Sequence, residues 1–414
     1  MSDNDKSLDK WLEVGFELVS KQGFSATPTF MYTCERILSE SRYDASFRKL
    51  RSSLGMQTVE KTLQALSAKG QRTYAEFQKQ METQLGGIQK HQIQKFTVAF
   101  PLPFRFPVFA SLKGSDIVDG RAIEVKEYSS FHSSFLEKTD PQKVGLPKDI
   151  GQWIGLVQRS RILLLDSYAR DDLFAFLEAI PVARQWTALL SYSQTSLIDV
   201  SFPPVPFTSI KMPEFGMVFN GDQFVNSYGG AYPVPPLQEG HPGILKIDRF
   251  YEFVDIVGKL PQLKIKQVIT DALSIYAEAV SESEKNYAFL KFWVGLELMV
   301  RLRGKIPDEK VATRMKTMFF LDKPKTFDSQ VDTFLSKRNM ILHEGDLGAI
   351  QWYDIIFAKQ LYEEILTQLM RFCNNSLDIG WIESYYDLTG KPVESLEATK
   401  NATEFLIKQK SVKP

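Results

Sequence analysis

The sequence predicts a multidomain α+β protein in which a helical N-terminal segment and a mixed α+β domain precede a C-terminal all-α helical bundle. Its 414 residues exceed the size of one ordinary domain core, so two or three domains are expected. Hydrophobic residues make up 43% and aromatic residues 12% of the chain, which is enough apolar material for several cores. The spacing of the apolar residues changes from helical to strand-like and back, and these changes set the predicted boundaries.

Residues 1–94 are predicted to be mainly helical. Residues 8–20 place aliphatic and aromatic side chains at helical spacing. Residues 56–93 are rich in Gln and Lys, with apolar residues at intervals. This pattern predicts a long, largely solvated helix or helical hairpin that is interrupted near Gly86 and Gly87.

Residues 95–243 are predicted to form the mixed α+β domain. Residues 95–135 alternate aromatic and β-branched residues, which is typical of strands. Proline at positions 101, 103 and 107 is not expected in central strands, so edges or turns are predicted there. Residues 161–166 (RILLLD) predict a short apolar strand.

One helix is predicted inside this domain. Asp171 or Asp172 can cap its first turn, and the helix is expected to end near Ile180. Residues 183–230 then return to strand-like segments, the last of which precedes a Gly221-Asp222 turn.

Residues 244–376 are predicted to form the helical bundle, and residues 377–414 a tail that packs back on it. A stretch rich in Pro and Gly (232–243) marks the boundary before it. Short connections favour antiparallel neighbours among the predicted helices. These helices span 262–281, 284–303, 308–320, 328–343 and 348–374.

Two charged residues interrupt apolar faces of these helices. Arg338 shares a stripe with Val331, Phe334 and Ile341, and Glu297 shares one with Leu290, Trp293 and Val300. Because a buried charge without a partner costs several kcal/mol, each residue needs an opposite charge. The sequence therefore predicts that Glu297 and Arg338 face one another.

Arg338, Asn339 and His343 form a candidate catalytic cluster near the end of one predicted helix. Asn339 and His343 are four residues apart and lie on the same side, whereas Arg338 and His343 are separated by about 140° around the axis. An imidazole can exchange protons near neutral pH, and a guanidinium can stabilise charge on a phosphorane. The alternative is structural, with Arg338 in a packing salt bridge and His343 as a favourable charge at the helix end.

A basic and aromatic segment, residues 314–327, lies just before this cluster. It carries Arg314, Lys316, Lys323 and Lys325 between phenylalanines, a combination that suits single-stranded RNA. The alternative is that the phenylalanines belong to the core and the lysines to a solvated loop.

Bulk properties exclude several classes of protein. Lys+Arg and Asp+Glu both number 50, so RNA contacts must come from a local patch. Two cysteines, Cys34 and Cys373, cannot form a disulfide framework or a zinc site alone, and no phosphate-binding loop is present. We expect no cofactor and no metal. The polar N-terminus, and apolar stretches well short of the roughly 20 residues that span a bilayer, predict a cytoplasmic protein without a membrane partner.

The segment FLSKRNMILHEG (334–345) resembles the signature of HEPN domains, in which Arg is followed after four to six residues by His, often with Asn directly after the Arg. The helix FLKFWVGLELMVRL (289–302) resembles the acidic helix that precedes this motif. Its aromatic-rich form is most similar to the defence-associated ApeA-like subgroup. The resemblance covers roughly residues 260–376, about a quarter of the chain.

The resemblance implies a HEPN helical bundle that cleaves RNA without metal, with Arg338, Asn339, His343 and Glu297 in its active centre. It implies a site at the junction of two HEPN domains, hence a homodimer or higher homo-oligomer. The expected role is a toxin-like or anti-phage ribonuclease, held silent until a phage-derived or protein trigger reaches the N-terminal region. The alternative is an inert HEPN domain that serves dimerisation, scaffolding or RNA binding.

Overall fold

A computed structural model describes two compact units within the chain. The first unit comprises Met1–Pro101, Ile123–Pro181 and Glu214–Pro233, and the second comprises Leu102–Ala122, Val182–Pro213 and Val234–Pro414. The structure describes residues 3–22, 28–102, 116–118, 121–131, 134, 161–195, 207, 215–229, 247–259, 264–302, 306–317, 326–346, 348, 350–374, 379–388 and 391–411.

The first unit begins with five helices, as the sequence predicts for this region. They are α1 (Asp3–Gln22), α2 (Pro28–Glu40), α3 (Tyr43–Leu50), α4 (Gly55–Ala68) and α5 (Tyr74–Gln89). Their apolar faces close one core, which includes Leu12, Ile37, Leu63 and Phe77. Burial raises the pKa of the Cys34 thiol in this core to about 12, so this thiol is protonated at neutral pH.

The predicted break at Gly86 and Gly87 is wrong, because both glycines lie inside α5. The break lies between α4 and α5 instead. Gly70 has a φ of +69° after the end of α4, a conformation that glycine adopts without strain. Thr73 and Glu76 then form a capping box at the start of α5. Their spacing in the sequence could have predicted this helix start.

The sheet has the strand order β2-β3-β4-β1-β5-β6. Its strands are β1 (Gln94–Leu102), β2 (Asp116–Val118), β3 (Arg121–Glu127), β4 (Arg161–Ala169), β5 (Phe215–Asn220) and β6 (Gln223–Gly229). The pairs β1–β5, β3–β4 and β5–β6 are antiparallel, with Val98 opposite Val218 and Val125 opposite Leu163. A four-residue helix, α6 (Tyr128–Phe131), follows β3.

The predicted apolar strand at 161–166 is confirmed as part of β4. Ile162 and Leu164 pack on one face, and Leu163 and Leu165 are buried as well, which explains the continuous apolar run. The prediction for Pro101 is wrong. Strand β1 lies between β4 and β5 in the sheet, and Pro101 is its last residue but one. Positions 103 and 107 lie outside the described residues.

The helix that follows β4 is longer than predicted. It is α7 (Asp172–Thr195), and it continues through Pro181. Asp171 caps its first turn by accepting a hydrogen bond from the Phe174 amide at 2.8 Å. The strand predicted for residues 183–192 is therefore wrong. This half of α7 is buried on almost every side, so its apolar residues do not follow the spacing of a helix with one apolar face.

Among the described helices, α7 is the only one that is long and apolar enough to cross a membrane. The burial of 67% of its apolar window inside the protein is typical of a core helix in a soluble protein. The predicted end near Ile180 came too early, since α7 continues to Thr195.

The second unit contains the C-terminal helices, and each of the five predicted spans contains a helix in its described residues, although the last one begins at Trp352 and not at 348. The helices are α8 (Ile247–Lys259), α9 (Lys264–Val280), α10 (Lys285–Arg301), α11 (Asp308–Thr317), α12 (Phe327–Asn339), α13 (Trp352–Asn374), α14 (Ile379–Leu388) and α15 (Val393–Ser411).

Helix α10 is the core helix of this unit. Eight of its residues are buried, including Trp293 and Gly295. A Cβ added at Gly295 would lie 2.1 Å from the hydroxyl of Tyr362, so glycine allows α10 and α13 to approach closely. Phe334 of α12 packs against Phe289 and Trp293 of α10, with ring centroids 4.7 and 5.2 Å apart.

A buried polar network also holds this unit together. Lys359 and Glu363 of α13 form an ion pair at 2.6 Å and are both 3% exposed. Lys359 Nζ donates to the Thr195 carbonyl at the end of α7 at 2.8 Å, and the Tyr276 hydroxyl of α9 donates to Glu363. These bonds satisfy the buried charges and fix three helices to one another.

The two units differ from the predicted domain boundaries at 94, 243 and 376. The N-terminal helices share a unit with the strands β3 to β6, and residues 182–195 of α7 belong with the C-terminal helices. The physical reason lies in contacts between residues far apart in the chain, which local sequence does not reveal. Arg170 and Asp171 hydrogen-bond to Leu50 and Ser52, and Lys359 donates to Thr195 at the end of α7.

Candidate active site

The candidate motif lies where α12 changes into a wider turn. Helix α12 ends at Asn339, and residues Met340–Glu344 form a π-helical turn that is followed by Gly345 with a φ of +69°. A π-helical turn contains more residues than an α-helical one, so each residue advances by a smaller angle about the axis. The angle about the helix axis between Arg338 and His343 is therefore smaller than the value of about 140° expected for a continuous α-helix.

The predicted stripe on α12 is confirmed, since Val331, Phe334 and Ile341 are buried. Arg338 lies on this stripe, and its side chain is only 15% exposed. Its guanidinium carbon lies 5.4 Å from the centroid of the Trp293 ring, within the range of a cation–π contact. One face of the guanidinium is thus held by α10.

The guanidinium of Arg338 also lies near three side-chain oxygen atoms of described residues. Its Nη1 donates to the Asn339 side-chain oxygen at 2.8 Å and lies 3.6 Å from Asp308 Oδ2. Its Nη2 lies 4.0 Å from Glu297 Oε1, at the limit of an ion pair. Glu297 and Arg338 therefore face one another as predicted, but they are not each other's closest partners.

Arg301 is the closest partner of Glu297. Its Nη2 donates to Glu297 Oε1 at 2.6 Å and to Asp308 Oδ1 at 3.0 Å, and its Nη1 donates to the Ile306 carbonyl at 3.0 Å. Both carboxylates thus lie between the two arginines. Among the described side chains of this cluster, two arginines and two carboxylates balance in charge.

The turn after α10 brings Asp308 to this cluster. Leu302 has a φ of +53°, which is strained for a residue with a side chain, and that side chain is 7% exposed. Burial of the leucine offsets the strain, and the next described helix, α11, begins at Asp308 beside Arg301.

Asn339 and His343 are both exposed. Asn339 contacts Arg338, whereas none of the contacts between described residues joins His343 to Arg338, Asn339 or Glu297. The Asn339 oxygen is used by Arg338, so its amide group supplies donors rather than acceptors to a ligand. His343 is open to solvent and to a substrate or a second protein chain.

Another ion pair fixes the direction of α12. Lys337 donates to Asp354 at 2.5 Å, and its ammonium lies 5.0 Å from the Tyr353 ring. Asp354 also accepts from the Gln351 amide at 2.7 Å and so caps α13. The residue before Arg338 is therefore anchored to α13.

The predicted RNA-contacting residues differ in their placement. Arg314 is only 4% exposed, and it donates to the Val300 carbonyl and to Asp387 at 2.7 and 3.0 Å. This position is unsuitable for an RNA contact, and we assign Arg314 a packing role. Lys316 is half-buried and pairs with Asp332 at 2.5 Å, while Lys323 and Lys325 lie outside the described residues.

The candidate residues include groups suited to acid–base and electrostatic catalysis. The imidazole of His343 can transfer a proton, and the guanidinium of Arg338 can stabilise negative charge on a phosphate. In the described part of the chain, no group of three or more His, Cys, Asp or Glu residues could hold a metal ion. His91 lies in the first unit and is exposed, and His132 and His241 lie outside the described residues.

Two members of the cluster, Arg301 and Asp308, were missed by the sequence analysis. Arg301 follows Glu297 by four residues, a spacing that favours an ion pair on a helix and was a readable signal. No sequence spacing predicted the position of Asp308, because its contact with Arg301 depends on the tertiary structure.

Comparison of the chain with protein-family models, with curated proteins and with solved structures finds no match. The function proposed for this chain therefore rests on the geometry of the site and on the resemblance of its motif.

Proposed function

We propose that this protein is a metal-independent endoribonuclease of the HEPN type. The observation that supports this most is the placement of Arg338, which is held by Trp293 and Asn339 on the same helix end that carries the exposed His343. A purely structural arginine would need no exposed imidazole and amide beside it.

The proposed reaction is an internal transesterification of RNA. The ribose 2′-oxygen attacks the neighbouring phosphorus as its proton passes to a base, and the 5′-oxygen leaves as it receives a proton from an acid. The products are a 2′,3′-cyclic phosphate and a 5′-hydroxyl end. Arg338 stabilises the additional negative charge at phosphorus in the transition state.

Two copies of the chain are proposed to complete one active centre. The reaction needs one base and one acid, and the described cluster contains a single imidazole, that of His343. In a homodimer or higher homo-oligomer, one His343 from each copy can divide these roles. The zero formal net charge does not oppose self-association.

We further propose a cytoplasmic toxin-like or anti-phage role. RNA cleavage by such an effector must be silent in the resting cell, and the first unit is the proposed sensor of a phage-derived or protein trigger. The alternative function is an inert HEPN domain for dimerisation, scaffolding or RNA binding. The resting charge balance around Arg338, whose guanidinium already faces Glu297 and Asp308, favours this alternative.

Incubation of the purified full-length chain with total RNA in EDTA tests the proposed function. Cleavage is expected to persist under chelation and to leave 2′,3′-cyclic phosphate ends, which end-specific labelling detects. His343→Ala should abolish it, whereas His91→Ala, which removes an exposed histidine of the first unit, should not. Products with 5′-phosphate ends, or equal activity of the two variants, would contradict the assignment.

A further inference from the structure

The position of Asp308 between two arginines points to a phosphate-binding site. Its two carboxylate oxygens are divided between them, with Oδ1 3.0 Å from Arg301 Nη2 and Oδ2 3.6 Å from Arg338 Nη1. A guanidinium binds carboxylate and phosphate oxygens with the same fork geometry. A phosphodiester can therefore make the contacts that this carboxylate makes.

We propose that Asp308 acts as an internal phosphate mimic, and that the RNA backbone displaces it to bind between Arg301 and Arg338. This inference rests on the proposed ribonuclease function, since it takes RNA as the source of the phosphate. It adds Arg301 as a substrate-binding residue and Asp308 as the group that opposes binding in the free protein.

The surroundings of the two carboxylates explain why Asp308, and not Glu297, is displaced. The side chain of Glu297 is 20% exposed, whereas that of Asp308 is 48% exposed. Glu297 lies within α10, whereas Asp308 is the first residue of α11. Release of Asp308 returns it to water at little cost, and Glu297 stays to hold both arginines.

Displacement also changes the charge balance of the site. With Asp308 released, the cluster retains two positive charges and the single negative charge of Glu297. The remaining positive charge suits one phosphodiester, which carries one negative charge. The resting protein is thus protected from unspecific anions, while a substrate with additional contacts elsewhere can displace Asp308.

Binding of a 2′-O-methyl single-stranded oligonucleotide, which lacks the attacking hydroxyl and stays intact, tests the proposal. Fluorescence anisotropy compares Asp308→Asn with Glu309→Gln, since Glu309 is exposed on the same first turn and its substitution changes the net charge equally. We expect Asp308→Asn to bind about fivefold more tightly than Glu309→Gln. Equal affinities of the two variants would overturn the proposal.

Arg301→Gln provides the second measurement. Loss of one phosphate contact should weaken binding. It should also make the negative slope of log affinity against log salt concentration shallower by about 0.7 for a single strand. An unchanged slope in a variant that melts like the wild type would reject Arg301 as a ligand. If this variant does not fold, the comparison of Asp308→Asn with Glu309→Gln decides alone.

Two further arms separate the possible failures. If unmodified RNA is not cleaved but Asp308→Asn still binds the oligonucleotide more tightly, the phosphate site stands and the ribonuclease function fails. If RNA is cleaved but Asp308→Asn and Glu309→Gln bind the oligonucleotide equally tightly, the ribonuclease function stands and the phosphate site is rejected. Thermal stabilisation of Asp308→Asn by inorganic phosphate, without tighter oligonucleotide binding, would reject RNA as the ligand.

Discussion

In the proposed reaction the guanidinium of Arg338 stabilises the transition state, so it should be fixed before the substrate arrives. The residues around Arg338 restrict it in this way. Trp293 holds its face, while Asn339 and Asp308 lie near one edge and Glu297 near the other. Each contact reduces the rotamer freedom of a long side chain, whose ordering otherwise costs free energy. Preorganisation of this kind is what electrostatic catalysis requires.

Replacement of Glu297 tests this description at the level of single residues. Glu297→Ala leaves Arg338 and Arg301 with Asp308 as their shared carboxylate, and both arginines are partly exposed. The expected loss in the free energy of unfolding is about 1–3 kcal/mol, between the values for exposed and buried pairs. Cleavage should also fall, because Arg338 loses part of its support.

A double replacement separates stability from catalysis. Glu297→Leu with Arg338→Met should recover part of the stability and none of the activity, because Arg301 retains Asp308 and the Ile306 carbonyl. Asp332→Ala, which removes a 61% exposed partner of Lys316, serves as the control and should cost at most about 1 kcal/mol. If Glu297→Ala unfolds like the wild type, Glu297 does not support the arginines.

Much of this cluster was predictable from residue spacing, but its closest pairings were not. Spacing of three and four residues placed Glu297 and Arg338 on facing stripes, which the 4.0 Å separation confirms. The same spacing of four would have shown the Glu297–Arg301 pair, which is closer at 2.6 Å. Arg314 failed as an RNA contact because its burial depends on Asp387 of α14, 73 residues away in the chain.

At the scale of helices, Asp387 joins α14 to α11. It accepts from Lys310 at 3.1 Å and from Arg314 at 3.0 Å. Burial by itself raises the pKa of the Asp387 carboxyl, but the hydrogen bonds and positive charges of these two partners outweigh it, so the net pKa lies below the usual value. The native helix contact therefore favours the charged carboxylate.

The lowered pKa predicts how this contact depends on pH. A carboxyl group with a folded-state pKa below its unfolded value of about 3.9 stabilises the fold fully above that value, and the contribution is lost as the pH falls through the folded-state pKa. Asp387→Asn should lower the free energy of unfolding by about 0.5–1 kcal/mol at pH 7, with solvent screening taken into account, and by less below about pH 4. Urea unfolding at both pH values measures this difference.

Glu383→Gln is the matched control on the same helix, since the described part of the chain shows no ion pair for Glu383. It should have little effect at either pH. If the free energies of unfolding of Asp387→Asn and the wild type differed by the same amount at pH 7 and pH 3, the charge of Asp387 would not stabilise the contact.

Helices with one apolar face were predicted well, and those that depart from this pattern were not. The spans of α9, α10 and α13 follow directly from helical spacing. The second half of α7 was predicted as a strand because it is buried on almost every side, so its apolar residues do not mark one helical face. The π-helical turn at Met340–Glu344 likewise has no local signal in the sequence.

At the scale of the whole molecule, the proposal requires a second copy of the chain. If each active centre takes one His343 from each of two copies, a mixed pair of wild type and His343→Ala lacks either its acid or its base. Wild-type activity would then depend on the fraction of pairs with two intact chains. Inactive chains should therefore reduce activity by more than simple dilution.

Subunit mixing measures this dependence. The wild type is exchanged with increasing amounts of His343→Ala at constant total protein, and RNA cleavage is recorded against the wild-type fraction. A shared site predicts activity that falls with the square of this fraction, whereas a site within one chain predicts a straight line. His91→Ala in place of His343→Ala controls for exchange itself and should leave activity unchanged, because His91 is an exposed residue of the first unit. Native mass spectrometry of wild type exchanged with an affinity-tagged His343→Ala chain shows whether mixed pairs form. A straight line in a sample that contains them would reject the two-copy active centre, even if the ribonuclease function itself were established.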